Sequence, residues 1–322
     1  MEENIISILE KYNMQLESFN RGRGVYICKC NTGLKLLMEC KLSKEKLKLQ
    51  YDVMKDIMNN GLIKLDVINT TSQGEYSVTM EDGKSYILKD WYVGRECDLS
   101  QERDVLIAIE TLALLHCELE KNEPLDTAFF ENGFSIYERY AKKYRELRKV
   151  KNYLLQRRNK TEFEMYAQSN YNTFFEQARK SMEMLDKIEL NGYVKHLCHG
   201  SYNYHNLIME NDSAIVTSME RLKYDVQILD LYDFMRKVLE KHDWELGLAD
   251  KMLNEYQKLR PMDETEFELL KFAFMFPEKF WKIVNFYYNN SKAWIPQKNT
   301  EKLRMCISKE AYRKKFIESV FA

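Results

Sequence analysis

The segment 197–233 constrains the fold more than any other part of the chain. An apolar lead-in reaches His199-Gly200, and a polar stretch then ends at Asn206, just before the apolar run 207–209. After a turn, a second apolar run covers 213–216. Short apolar runs bounded by turn residues are typical of strands. The segment therefore predicts a strand, a loop, and two further strands joined by a turn.

This layout resembles the catalytic segment of aminoglycoside-phosphotransferase-like kinases, in which HGDxxxxN is followed by IDFD. The resemblance implies that the first Asp is the base, and that the Asn and the later Asp hold magnesium. Here the two motifs read HGSYNYHN and TSME. Ser201 therefore stands at the base position and Ser218 at the metal-Asp position, while the motif residues His199 and Asn206 are retained.

Both serines weaken the case for phosphoryl transfer. A serine hydroxyl is not an anion near pH 7, and loss of a general base typically costs about 10²–10⁴ in rate. Mg²⁺ prefers carboxylate and phosphate oxygens, so without an acid at Ser218 the metal would depend on Asn206 and Glu220. Asp225 is a further carboxylate that could serve a rearranged site.

The first 92 residues predict a small mixed lobe with an antiparallel sheet. Ser43 is a suitable cap for a helical pattern that Gly61 would end. The order of the predicted elements is that of a kinase N-lobe. They are a helix over 4–14, a hairpin of strands over 26–30 and 35–40, a helix over 45–59, and strands over 76–80 and 85–90.

A kinase-like N-lobe would place a lysine in its third strand, to contact the nucleotide phosphates. Alignment with the typical strand puts Met38 at that position, and the nearby Lys35 would face the other side of the strand. The sequence Arg21-Gly22-Arg23-Gly24 suggests either a phosphate loop or a surface turn. Met38, Ser201 and Ser218 are thus three departures from the kinase pattern.

Residues 93–322 predict a large, mainly helical C-lobe that contains the degenerate catalytic segment. The stretch KDWYVGREC lies at the hinge position, and an apolar helix over 104–118 carries His116, which we interpret as a hydrogen-bonded structural histidine. The run 142–160 is a basic helix. It could bind an acidic partner or nucleic acid, or form a solvated face. Near the end of the chain, an aromatic core stripe is predicted by the helical spacing of Phe276, Phe280, Trp281, Val284 and Tyr288.

The stretch FAFMFPEKFWKIVNFYYNNSKAWIPQKNTEKL, residues 272–303, resembles the signature of CotS-type spore-coat proteins, and the hinge text and catalytic layout match that family too. The resemblance covers nearly the whole chain. It implies an α+β, bilobal, protein-kinase-like fold and a role in the endospore coat. It also implies other spore-coat proteins as partners, and a location in the mother-cell cytoplasm followed by the coat.

Composition excludes several functions. The formal net charge is −1 with 49 basic and 50 acidic residues, which argues against nucleic acid or an anionic membrane as a partner of the whole chain. No signal sequence or membrane-spanning run is recognisable. The seven cysteines are scattered and predict no disulfide framework. Oligomeric state is not readable from the sequence.

Three functional hypotheses are consistent with these residues. The chain is a structural or scaffolding pseudokinase of the spore coat, a small-molecule or protein kinase with rearranged chemistry, or a module that senses ATP without turnover. The sequence leaves open whether ATP and Mg²⁺ bind. The missing acids favour the scaffold.

Overall fold

The computed structural model describes residues 2–22, 24–124, 126–131, 134–289 and 296–321. The helices in these residues are α1 (Glu2–Lys11), α2 (Lys44–Asn60), α3 (Glu102–Lys121), α4 (Ile136–Gln156), α5 (Glu162–Asn191), α6 (Ile228–Lys241), α7 (Leu246–Leu259), α8 (Glu264–Met275), α9 (Glu278–Asn289), α10 (Pro296–Ser308) and α11 (Glu310–Val320). The strands are β1 (Leu16–Arg21), β2 (Val25–Cys30), β3 (Gly33–Cys40), β4 (Lys64–Leu65), β5 (Val78–Thr79), β6 (Ser85–Asp90), β7 (Arg95–Glu96), β8 (His196–Cys198), β9 (Leu207–Glu210), β10 (Ser213–Val216) and β11 (Lys223–Asp225).

The chain forms two compact units that alternate along the sequence. The first unit comprises Met1–Glu131 and Lys195–Asp230, and the second comprises Asn132–Val194 and Leu231–Ala322. All of the strands in the described residues belong to the first unit. The lobe boundary after residue 92 stays a prediction.

An antiparallel five-stranded sheet in the order β1-β2-β3-β6-β5 organises the start of the first unit. Helix α1 covers one face, where Ile8 and Leu9 pack with Leu37 and Leu88. On the other face Met38 packs with a cluster that contains Leu47 of α2. Because side chains alternate between the two faces of a strand, each face of the sheet acquires its own apolar core.

Helix α2 begins and ends where the sequence predicts. The hydroxyl of Ser43 accepts a hydrogen bond from the Lys46 N–H at 3.2 Å, and Gly61 follows the helix in the left-handed conformation with φ 71°. A side-chain oxygen at the N-cap satisfies one of the free N–H groups of the first turn. The predicted strand over 76–80 is shorter, since only Val78–Thr79 pairs.

Two smaller sheets contain the strands of the segment 197–233. Strands β9 and β10 form a hairpin within the sheet β4-β10-β9-β7, and β8 pairs with β11. The predicted order of strand, loop, strand, turn and strand over 197–216 is therefore confirmed. Between β6 and β7, Gly94 is required by close packing, because a Cβ there would lie 2.3 Å from the Ile208 side chain.

The second unit is helical and has an aromatic core. Phe174 of α5 stacks on Phe280 of α9 with ring centroids 4.2 Å apart, and Tyr140 of α4 contacts Phe272 at 4.7 Å. Of the predicted stripe, Phe276, Phe280 and Val284 are buried, whereas Trp281 and Tyr288 are half-buried. Phe276 follows the end of α8 and is not part of α9. None of the helices in the described part of the chain is long and apolar enough to cross a membrane.

The basic run differs from the predicted single helix over 142–160. Helix α4 ends at Gln156, and Arg157 adopts an extended conformation. The cause is local, because Thr161 begins α5 with a reciprocal capping box that involves Glu164. The buried carboxylate of Glu164 also pairs with Arg157 at 2.9 Å.

Candidate functional site

The pairing of β9 with β10 and of β8 with β11 brings the two motif loops together. The loop from His199 to Asn206 connects β8 with β9, and the loop from Thr217 to Leu222 connects β10 with β11. The Thr217 N–H donates to the Asn206 carbonyl at 2.9 Å. The two motif segments are therefore neighbours in the first unit.

His199 fixes both loops from a fully buried position. Its Nδ1 accepts a hydrogen bond from the Ser201 N–H at 3.1 Å, and its Nε2 lies 2.9 Å from the Thr217 carbonyl. Because a backbone N–H can only donate and a carbonyl can only accept, Nδ1 is the acceptor and Nε2 carries the proton. This arrangement gives the motif histidine a structural task.

Asn206 joins the two serines that stand at the acid positions. Its Nδ2 donates to the Ser201 carbonyl at 2.9 Å, and its Oδ1 accepts from the Ser218 hydroxyl at 3.2 Å. Ser201, Asn206 and Ser218 therefore meet at one place. The amide oxygen that would bind a metal in the kinase pattern is engaged by a neutral hydroxyl. The roles assigned to these residues stay predictions.

A buried ion triad lies beside Ser218. Lys89 of β6 is 1% exposed, and its Nζ lies 2.6 Å from Asp66 Oδ2 and 2.6 Å from Glu220 Oε2. Asp66 also accepts the N–H groups of Ser218 at 2.8 Å and Met219 at 3.4 Å. The triad thus holds the turn that follows the metal-Asp position.

The pKa values of the triad reflect burial opposed by pairing. Burial acts to raise the pKa of Glu220, but the Lys89 ammonium outweighs it, so that the pKa is lowered. Burial acts to lower the pKa of Lys89, but the carboxylates of Asp66 and Glu220 raise it. For Asp66 burial dominates and raises the pKa, against the pull of Lys89. Lys89 and Glu220 are therefore held in their charged forms.

Helix α2 completes the surroundings of the triad. Gln50, which is fully buried, donates from Nε2 to the Glu220 carbonyl at 3.1 Å. In protein kinases a strand lysine pairs with a glutamate of the helix after the third strand. Here that helix supplies a neutral amide, and the lysine comes from a different strand.

The sequence motifs do not point to Lys89 or Asp66. Met38 lies opposite Ile87, and Leu36 lies opposite Lys89, so Met38 and Lys89 share one face of the sheet. Lys35 lies on the other face and pairs with Asp90 at 2.5 Å. The sequence does carry a signal for this pairing. Lys89 comes two residues after the apolar Ile87 and so lies on the same, core-facing side of the strand, where a buried lysine needs a buried acid.

Three further residues lie around the site. Asp230 anchors the loop after β8, since its carboxylate accepts the Gly200 N–H at 3.1 Å. Asp233 pairs with Arg236 at 3.3 Å. His116 is fully buried, and its Nε2 lies 3.6 Å from Asp230 Oδ2. This environment agrees with a structural role.

Two further predicted features form local contacts. Between β1 and β2 the Gly22 N–H donates to the Val25 carbonyl at 2.9 Å, and Arg23 lies outside the described residues. Asp225 pairs with Lys223 at 2.9 Å and accepts the Val226 N–H at 3.0 Å.

Comparison with solved structures identifies the fold. The aminoglycoside phosphotransferase from Alicyclobacillus acidocaldarius superposes with a TM-score of 0.86 at 16% identity, covering 97% of this chain and 94% of that chain. A microcompartment-associated aminopropanol kinase gives a TM-score of 0.63 at 12% identity, covering 99% and 98%. The chain therefore has the predicted aminoglycoside-phosphotransferase-like, kinase-like fold.

Comparison with sequence families gives the particular group. The model of the family "Spore coat putative kinase YutH" matches residues 5–320, and the chain belongs to that family. "Spore coat protein S" of Bacillus subtilis (strain 168) is 23% identical over 348 residues, which cover 99% of this chain and 94% of that protein. The predicted membership in a CotS-like spore-coat family is confirmed.

Proposed function

We propose that this protein is a catalytically inactive, kinase-like component of the spore coat that acts as a scaffold. The family and the related coat protein support a location in the spore coat, and the proposal includes synthesis in the mother-cell cytoplasm. The proposal needs no phosphoryl acceptor, and its partners are other spore-coat proteins. Its catalytic part rests on the chemistry around Ser218.

The observation that carries the proposal is the buried pairing of Lys89 with Asp66 and Glu220. These are acids that could replace the missing metal ligand at Ser218, and both already contact an ammonium at 2.6 Å. Recruiting either carboxylate for Mg²⁺ would leave Lys89 buried with less compensation, which is strongly unfavourable. The site therefore favours internal pairing over a metal–nucleotide complex.

Rearranged chemistry through Asp225 is also disfavoured. Both oxygens of this carboxylate are engaged, one by Lys223 and one by the Val226 N–H. Ser201 offers only a hydroxyl where a base is needed, and its carbonyl is held by Asn206. These contacts support a folding role for the retained motif residues.

Exposed basic side chains on α4 are the surface we propose for docking to acidic coat partners. Lys142, Arg145 and Lys149 are exposed on this helix, and Arg158 is exposed just beyond it. By contrast, Lys143 is partly buried and pairs with Glu278 at 2.9 Å. Only some bases of the run are therefore available to a partner, which sharpens the choice of variants.

A thermal-shift titration tests the catalytic part of the proposal. A ligand that binds only the folded state at a hundredfold excess over Kd adds about 2.7 kcal/mol of stability, which is measurable as a higher Tm. We expect no magnesium-dependent rise in Tm at millimolar ATP, and no ADP formation in a coupled assay. An active aminoglycoside phosphotransferase, assayed in parallel, controls for sensitivity.

The three hypotheses give different results in this pair of assays. A magnesium-dependent rise in Tm without ADP formation would indicate a nucleotide sensor. A rise with sustained ADP formation would indicate an enzyme with rearranged chemistry. Either result would refute the inactive scaffold.

A further inference from the structure

A cavity of about 390 Å³ lies within the second unit. Helices α5, α6 and α8 to α11 contribute to its wall, and no described residue of its lining belongs to a kinase motif. Ligand sites commonly measure about 300–1,000 Å³, and a cavity of about 150 Å³ holds benzene. This cavity therefore has room for a molecule of about two to three rings.

The apolar part of the wall is accessible to such a molecule. Trp244 and Ile283 keep 7% and 8% of their surface accessible, and Phe286 and Cys306 are half-buried. Met305 on α10 is 60% exposed, so the wall reaches the protein surface. Burial raises the pKa of the Cys306 thiol to about 12, which keeps this group neutral at pH 7. These side chains form an uncharged wall that a ring system can contact.

The charged residues of the lining have partners within the protein. Five of the six bases lie within 3.1 Å of a carboxylate oxygen, and all three acids of the lining belong to these pairs. The pairs are Arg236 and Lys279 with Glu240, Lys282 with Glu278, Lys309 with Asp243, and Arg313 with Glu310. The sixth base, Lys302, is exposed, and a solvated charge gains little from pairing. A charged ligand would therefore lose its hydration here without a matching gain.

Trp244 is held in place at this wall. Its backbone is left-handed, with φ 60°, a conformation in which bulky residues are outliers. Such strained residues persist only where their surroundings fix them, and they cluster at ligand sites. Here the Trp244 N–H donates to the Leu239 carbonyl at 2.9 Å, and the indole ring centroid lies 5.4 Å from that of Phe316. This part of the wall is preformed, which spares a ligand the cost of ordering it.

We propose that this cavity binds an uncharged, mainly aromatic molecule of two to three rings. The rings contact Trp244, Ile283 and Phe286, and the internal ion pairs of the lining disfavour a charged substituent. The proposal is independent of the scaffold function, because it uses no residue of the kinase motifs. It assigns a small-molecule site to the helical unit of a coat-family protein.

Calorimetric titration of the full chain tests the site with three probes that share one ring system. At pH 7, 2-naphthalenemethanol is neutral, 2-naphthoate is an anion and 2-naphthylmethylammonium is a cation. We expect one equivalent of the alcohol to bind saturably with a negative change in heat capacity, the marker of apolar burial. Each charged probe should bind at least about tenfold more weakly. Absence of saturable alcohol binding to the folded protein, or equal affinity for a charged probe, would overturn the proposal.

Cys306→Phe locates the bound alcohol. The added ring should enter the cavity and keep or raise the Tm, yet weaken alcohol binding at least about tenfold by occupying the space. Cys306→Ser keeps the volume and should stay within about threefold of wild type. Cys117→Phe makes the same enlargement at another half-buried cysteine, in the first unit. Unchanged affinity in folded Cys306→Phe, or equal weakening in Cys117→Phe, would place the alcohol elsewhere and refute the assignment.

A further variant tests why the site should reject charge. Glu240→Gln leaves Arg236 and Lys279 without the carboxylate that they share, so naphthoate should gain about tenfold in affinity relative to the alcohol. Glu255→Gln removes a carboxylate that pairs with Lys258 at 2.7 Å outside the lining, and should leave the ratio of the two affinities unchanged. An unchanged ratio in Glu240→Gln, or an equal change in both variants, would refute selection of a neutral ligand by the internal ion pairs.

Discussion

Replacing Lys89 by methionine tests whether the triad is a structural element. Lys89 lies 2.6 Å from each of two buried carboxylates. At an effective dielectric constant of about 20, unit charges at this distance attract by about 6 kcal/mol per pair. Desolvation offsets much of this gain, but removal of one partner leaves the remaining charge uncompensated. We therefore expect Lys89→Met to lower the free energy of unfolding by about 3–5 kcal/mol at pH 7.

The pH dependence of this loss has a definite sign. Pairing with Lys89 lowers the pKa of Glu220 in the folded state. The stabilisation from this group is therefore complete above the ordinary carboxyl pKa of about 4.3, and is lost as the pH falls through the lower folded value. Without Lys89 the buried carboxyls can protonate. The difference between wild type and variant should consequently shrink between pH 7 and pH 4.

Urea unfolding measures the loss, and hydrogen exchange of peptides from β3 and β6 assigns it to the first unit. Lys35→Met is the matched control, because Lys35 lies on the opposite face of the sheet and its partner Asp90 is 34% exposed. We expect a control cost of about 1 kcal/mol. A loss below about 1 kcal/mol in Lys89→Met, or no recovery when Asp66→Asn and Glu220→Gln are added, would refute the structural interpretation.

Three further outcomes are expected. Gly200→Ala should lose more stability in urea unfolding than Gly83→Ala. Both glycines have φ near +80°, and the strain of this left-handed conformation alone costs about 1–2 kcal/mol. Only at Gly200 would the added Cβ also lie 2.7 Å from a carbonyl oxygen, that of Arg221. In the native host, Ser201→Ala with Ser218→Ala should leave coat assembly normal, and failed assembly with normal protein abundance would return the site to the centre of the mechanism. Neutralising Arg145, Lys149 and Arg158 should reduce incorporation into purified coats, whereas neutralising the exposed Lys180, Lys187 and Lys298 should not; equal effects would exclude a specific basic surface.

Local signals explain the elements that the sequence predicted well. Ser43 and Gly61 fix α2 through contacts within a few residues, and the β9–β10 hairpin follows from two apolar runs around a short turn. Strand β1 escaped prediction because it is mostly exposed and its sequence, LESFNR, lacks an apolar alternation. Its pairing with β2 is set by the neighbouring strand, which propensity alone does not report.

The site was predictable only in part, for a different reason. The convergence of Ser201, Asn206 and Ser218 follows from motif spacing within one segment. Lys89 is separated from Asp66 by 23 residues and from Glu220 by 131, so their contacts depend on tertiary structure. The sequence showed which charges had been lost at the motif positions. It did not show that other charges had been brought together beside them.

The residues at the kinase-like positions of the first unit are bonded to one another. Hydrogen bonds of His199, Asn206 and Ser218 join the two motif loops to each other, and Lys89 pairs with two carboxylates. Groups that are paired within the chain must lose those partners before they can hold a ligand, which costs free energy. The motif region is therefore stabilised by contacts among its own residues.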